Sequence, residues 1–192
     1  MQETKLADDA FPKESFEKMG YESIHHGEGR WNGVAILSRV GLEDSSTGFD
    51  DGAGPDQDAR IVWATCGGVR VASAYIPNGR EVGHEHYHYK LAWLNRLRAH
   101  LDQNHTPEEK IALVGDFNVA PEDRDVWDIK VFEGATHVSA LEREAFKDIL
   151  DWGLFDTLRN SYPESDGLYT FWDYRQGSFY KRHGMRIDFI LS

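Results

Sequence analysis

Cysteine is nearly absent. Cys66 is the single one in 192 residues, so no internal disulfide forms and the expected compartment is the reducing cytoplasm. Long apolar runs are missing too: none nears the roughly 18 residues that span a bilayer. The start, Met1-Gln2-Glu3-Thr4-Lys5, shows no apolar core of a signal peptide. Positive charge is scarce, with 21 basic residues against 33 acidic ones and a net charge of −12. That balance argues against a sequence-independent grip on nucleic acid through bulk charge, so a polyanionic partner must be held locally or through a metal ion. What is present, 40% hydrophobic positions at a mean hydropathy of −0.58, fits one soluble globular domain. Folding at this length buries roughly 70% of the unfolded surface without staples. Transmembrane, collagen-like and wholly disordered chains are excluded.

The chain has no internal repeat. One stretch, Glu43 to Asp58, is rich in Gly, Ser and Asp and reads as a long surface loop. Val34-Ala35-Ile36-Leu37 before it fits a buried strand. Arg60–Thr65 and Val69–Tyr75 flank Cys66-Gly67-Gly68, which predicts a hairpin with a glycine turn, and Pro77-Asn78-Gly79 stops its second strand. Tyr87, Leu91, Leu94, Leu97 and Leu101 recur at helical spacing and predict a helix to about Asn104. Ile111–Val114 reads as a buried strand. Ser139 and Glu142 have capping-box spacing ahead of a helix from about Leu141 to Trp152, which Gly153 ends. Tyr169–Trp172 and Arg186–Leu191 read as further strands. Hairpins mixed with isolated helices give an α/β domain whose sheets are largely antiparallel.

Several residues could carry chemistry. Gly115-Asp116-Phe117-Asn118 follows an apolar strand; if strand geometry persists, Asp116 and Asn118 share a face, where a carboxylate and an amide serve hydrolysis. The same four residues are also ordinary turn chemistry. In Arg186-Ile187-Asp188 the aspartate falls off the apolar face, to orient a histidine or water, or to form a surface pair with arginine. Glu3 is a third acid, and a hard divalent ion needs only one or two carboxylates plus water and phosphate. Tyr75 ends its strand at the sheet rim, or packs in the core. Trp172 is a stacking platform for bases, or core. Lys181-Arg182-His183 with Arg186 forms the densest basic patch, suited to phosphate or simply a charged loop. His84, His86 and His88 would share one face of a strand as a metal site, but at a helix entrance they face different ways and are solvated. Cys66 is a turn thiol.

The order of these motifs is more specific than any one of them. Gln2–Lys5, Asn32–Ala35, Tyr75–Gly79, Gly115–Pro121, Thr170–Arg175 and Gly184–Asp188 together resemble the exodeoxyribonuclease III family of the endonuclease/exonuclease/phosphatase superfamily, over nearly the whole chain. The resemblance implies a four-layer α/β sandwich of two mostly antiparallel sheets flanked by helices. It implies a monomeric DNA-repair nuclease, without membrane association, that acts on double-stranded DNA with abasic sites or 3′ ends. Glu3, Asp116 and Asn118 would hold Mg²⁺ or Mn²⁺. Tyr75 would lie near the scissile phosphate, Asp116 would activate water, Asn118 would contact the transition state, and Asp188 would orient a catalytic histidine. Trp172 would meet the abasic nucleotide, and Arg60 and Lys90 the DNA backbone.

The family pattern also has a first strand with Trp-Asn-x-Asn and a last one with Ser-Asp-His-x-Pro. Neither occurs in this sequence, which therefore reads as an incomplete family domain, truncated at both ends and lacking the histidine that Asp188 would orient. Two other functions stay open: a phosphodiesterase or phosphatase acting on a different ester, and a non-catalytic DNA-binding remnant.

Overall fold

The computed structural model describes residues 1–175 and 177–192. They divide into two compact units, one of Met1–Tyr75, His100–Gly115 and Ser192, the other of Ile76–Ala99 and Asp116–Leu191.

The first unit contains helix α1 (Lys13–Lys18) and strands β1 (Glu22–His26), β2 (Val34–Ser38), β3 (Glu43–Thr47), β4 (Ile61–Cys66), β5 (Val69–Tyr75) and β6, which runs from Ile111 to Asp116. β1 and β2 pair antiparallel with Ile24 opposite Ile36. β3, β4, β5 and β6 lie side by side in that order. In the β4–β5 hairpin Cys66 pairs with Val69, so the turn is Gly67-Gly68 alone, both left-handed as a two-residue hairpin turn requires. Cys66 is therefore a strand residue, not the turn residue its sequence context suggests. β3 lies in the stretch expected to be loop. All five of its side chains are exposed, so no apolar alternation betrays it, and it serves as a polar edge against β4. Val34, Ile36, Val62 and Ala64 make the core here, with Ile24, Leu42, Val71 and Tyr75 packed on it. Gly115 has φ +145°, and a Cβ on it would stand 1.9 Å from the Ala74 carbonyl oxygen, so only glycine fits this approach of β6 to β5.

The second unit contains most of helix α2 (Glu85–Asn104), then α3 (Ala140–Asp151), α4 (Thr157–Ser161), β7 (Phe171–Trp172), α5 (Ser178–Lys181), β8 (Gly184–Met185) and β9 (Asp188–Leu191). The Ser139–Glu142 capping box forms as expected. Phe117, Phe146 and Phe189 make an aromatic core with centroids 4.8 to 5.5 Å apart. The expected strand Arg186–Leu191 begins only at Asp188, because the Arg186 N–H donates to the Asp125 carbonyl at 2.8 Å and the Ile187 N–H to Thr170 Oγ1 at 3.1 Å instead of a ladder. Arg186 is not on a polar face. It is fully buried, chelated by Asp125 and bonded to Asp156, which takes it out of the basic patch. Among the described residues, no helix is long and apolar enough to cross a membrane.

Candidate active site

In the second unit, the chain leaves β6 at Asp116 and reaches Asn118 in a left-handed conformation, φ +52°. Strand geometry therefore does not persist as the shared-face expectation required. A turn closes instead: Asp116 Oδ1 accepts the Asn118 N–H at 2.8 Å, and Oδ2 accepts the Asn118 Nδ2 amide at 3.2 Å. Asn118 Nδ2 also donates to the Ile76 carbonyl at 3.0 Å, and its Oδ1 accepts from Asn78 Nδ2 at 3.1 Å. The amide is 4% exposed and fixed on three sides. Asn78, which the sequence offers as part of a strand stop and of the Tyr75–Gly79 motif without a role of its own, is bonded into the same turn.

Beneath this turn lies Lys90, expected on the DNA backbone. The structure corrects that: Lys90 and Glu142 are both 0% exposed and form an ion pair. The Lys90 ammonium also donates to the Asn118 carbonyl at 2.6 Å and to the Asn78 carbonyl at 3.3 Å. Helix α2 turns this side chain inward because buried acceptors await it there, so it braces Asn118 rather than meeting a phosphate. His137 Nδ1 donates to the same Asn118 oxygen at 2.5 Å. Burial and then the Lys90 charge push the His137 imidazole down to about 4, so it is a neutral donor at neutral pH. Burial alone raises the Glu142 carboxyl, but Lys90 and the bonds from Ser139 and Thr136 outweigh it and hold the group below its ordinary value.

Asp188 stands on the segment that the Phe117 N–H joins to the Ile187 carbonyl at 2.8 Å, which brings it alongside the Asp116 turn. Burial pushes its carboxyl up, opposed by a bond from the Thr170 hydroxyl. Trp172 is half-buried, edge-on to Phe179 at 5.4 Å and to Tyr169 at 6.3 Å. Opposite it in the β7–β8 pair, Gly184 leaves room for the Tyr169 ring, which a Cβ would meet at 2.4 Å. Of the expected basic patch, Lys181 and Arg182 are exposed, while His183 stacks on Trp127 at 3.7 Å. His84 accepts the His86 N–H at the start of α2, as a solvated helix entrance does. Among the described residues, no three His, Cys, Asp or Glu side chains cluster to share a metal.

In the first unit, Tyr75 closes β5. Arg60 was expected on the DNA backbone but is buried: its Nε donates to Asp58 at 2.8 Å, its Nη1 to the Tyr75 carbonyl at 3.3 Å, and its guanidinium lies 5.1 Å from the Tyr75 ring centroid. It therefore supports the tyrosine. Glu3 has φ +52° and a carboxylate 45% exposed, 2.8 Å from Lys5 Nζ. One accessible carboxylate among waters fits a hard, hydrated divalent ion. Asn118 fits a metal less well, since its oxygen already accepts from Asn78.

The whole chain, residues 1–192, matches the Endonuclease/Exonuclease/phosphatase family. It is 31% identical over 205 aligned residues to exodeoxyribonuclease III of Haemophilus influenzae, covering 100% of this chain and 75% of that protein. An AP endonuclease structure from Archaeoglobus fulgidus superposes with a TM-score of 0.94 at 37% identity, over 100% of this chain and 74% of that one. A 3′ phosphatase from Neisseria bound to a product DNA hairpin does so with a TM-score of 0.92 at 37% identity, over 99% and 73%. Likeness along the full sequence and in the α/β fold leads to one conclusion: this chain belongs to the endonuclease/exonuclease/phosphatase family.

Proposed function

We propose that the protein is a DNA-repair nuclease of the exodeoxyribonuclease III type, which hydrolyses phosphodiesters of double-stranded DNA 5′ to abasic sites and from 3′ ends, with Mg²⁺ or Mn²⁺. The observation that carries this reading is the Asp116 carboxylate held by the Asn118 amide at the end of β6. Asp116 takes a proton from water as the water oxygen bonds to phosphorus and the bond from phosphorus to the 3′ oxygen breaks; that oxygen takes a proton from a solvent water as it leaves. Protonation weakens Asp116 as an acceptor, which frees the Asn118 N–H for a phosphate oxygen. Lys90 and His137 keep the Asn118 backbone fixed meanwhile. The family resemblance assigns Tyr75, held by Arg60, to the phosphate and Asp188 to orienting the groups around the attacking water. Trp172 offers its face to the abasic nucleotide. Glu3 would hold the divalent ion, which supplies positive charge against the charge that builds on the phosphate.

A second reading, removal of a 3′-terminal phosphate from DNA, is favoured by the Neisseria relative, a 3′ phosphatase. One assay separates the two: Mg²⁺-dependent turnover of a duplex with a single abasic site and of a duplex with a 3′-phosphate end, by the chain and by Asp116→Ala. Incision at the abasic site, reduced about 10²–10⁴-fold in Asp116→Ala, is the expected result. Turnover of the 3′ phosphate alone selects the second reading. Full activity in Asp116→Ala, or none in the unaltered chain, overturns both.

A further inference from the structure

Glu3 is held in an unusual way. Both Glu3 and Lys5 are left-handed, at φ +52° and +53°, a conformation that non-glycine residues adopt only when their surroundings impose it. The residue between them supplies the anchor. Thr4 donates its N–H to the Gly33 carbonyl at 3.1 Å, and Lys5 its own to Asn32 at 3.0 Å. The Thr4 hydroxyl lies 2.8 Å from His25 Nε2, and His25 Nδ1 lies 2.8 Å from Asp8 Oδ1. A carboxylate only accepts, so His25 Nδ1 donates to Asp8, while Nε2 is joined to the Thr4 hydroxyl. Asp8 Oδ1 also accepts the Gly27 N–H at 2.8 Å, which ties this carboxylate to the end of β1. The His25 ring is 4% exposed and stacked on Phe11 at 4.3 Å, so it cannot swing away. Gly33 completes the seat: a Cβ there would lie 2.1 Å from Thr4 Oγ1.

We propose that Thr4, His25 and Asp8 form a hydrogen-bonded strut that positions Glu3 for a divalent cation, with His25 as the positioning residue. This rests on the reading of Glu3 as the metal carboxylate. The strut never touches the ion. It removes the freedom of the Glu3 backbone, which would otherwise relax to right-handed or extended conformations and carry the carboxylate elsewhere. Outer partners of a ligand commonly change metal affinity by about 10–100-fold.

The test is Mn²⁺ binding to the 192-residue chain, read from the electron paramagnetic resonance signal of free Mn²⁺, with thermal unfolding in metal-free buffer alongside. The set is the unaltered chain, Glu3→Gln, Thr4→Val, Thr4→Ser and His25→Phe. Thr4→Val keeps the shape and removes the hydroxyl, Thr4→Ser keeps the hydroxyl, and His25→Phe keeps the stack. Binding weakened about tenfold in Thr4→Val and His25→Phe, but within about twofold of the unaltered chain in Thr4→Ser, is the expected result. Unchanged affinity in Thr4→Val, or equal weakening in Thr4→Ser and Thr4→Val, overturns the strut, and the threonine pair decides this even if His25→Phe fails to fold. Affinity unchanged in Glu3→Gln, or no Mn²⁺ bound by the unaltered chain, overturns the metal role of Glu3 itself and the strut's purpose with it.

Discussion

The buried pair Lys90–Glu142 should dominate the response of the second unit to mutation. Both side chains are inaccessible, and Glu142 accepts from the Thr136 hydroxyl at 2.7 Å, the His137 N–H at 3.0 Å, and the Ser139 hydroxyl and N–H at 2.6 and 3.2 Å, besides Lys90. Removing one partner of a buried pair costs about 3–5 kcal/mol because the other charge stays buried. Lys90→Met leaves Glu142 with those four neutral donors, so its cost should fall at the lower end, about 3 kcal/mol. Glu142→Leu strands the ammonium on two carbonyls and also removes the α3 capping box, which adds about 1 kcal/mol and places it near 5. The double variant removes both charges and should cost at least about 1–2 kcal/mol less than the sum. Urea unfolding of the four proteins at pH 7.5 measures this cycle. For a chain of this size about 3 kcal/mol corresponds to a fall of roughly 6–12 °C in Tm. Single variants that each cost under about 1 kcal/mol, or a strictly additive double, would refute the claim that burial and pairing govern this site.

Three further outcomes follow from the same geometry. Gly115→Ala sets a methyl against the Ala74 carbonyl at φ +145°, so it should cost more than about 3 kcal/mol or leave no folded protein, as circular dichroism and urea unfolding would register. His137 and His100 both have imidazoles pushed down to about 4, His137 by burial and Lys90, His100 by burial and His105. Below pH 6.5 the unfolded chain therefore binds protons that the folded chain refuses, and stability falls as the pH drops toward 4. A loss on the order of 2 kcal/mol per histidine, about 4 kcal/mol in all, between pH 7.5 and 5, roughly halved in His137→Gln, is expected from unfolding at the two pH values. Trp172→Ala should raise KM for an abasic duplex about tenfold, since stacking on an aromatic face contributes roughly 1–3 kcal/mol per base, and lower Tm modestly through the lost packing on Phe179 and Tyr169; steady-state kinetics decides, and an unchanged KM removes Trp172 from the substrate site.

Contacts that are local in sequence were legible, and those that are not were not. The Ser139–Glu142 box and the Gly67-Gly68 turn follow from neighbouring residues, and both form. Lys90 sits on a helix one position before Leu91, and nothing near it announces an acceptor 52 residues away; a lysine without a visible partner reads as solvent-facing. Arg186 misleads in the same way, because the carboxylate that buries it, Asp125, is 61 residues distant. β3 was missed for the opposite reason: an edge strand with every side chain in solvent needs no apolar pattern. The site was half legible by the same logic. Gly115-Asp116-Phe117-Asn118 is a local turn, and its residues alone specify that the amide folds onto the carboxylate, but the buried cation that braces it comes from another helix. The order of short motifs therefore carried more functional information than the spacing within any one of them. Tyr75–Gly79 and Gly115–Pro121 lie where the chain leaves β5 and β6, and the bonds from Lys90 and His137 that hold the second exit are long-range.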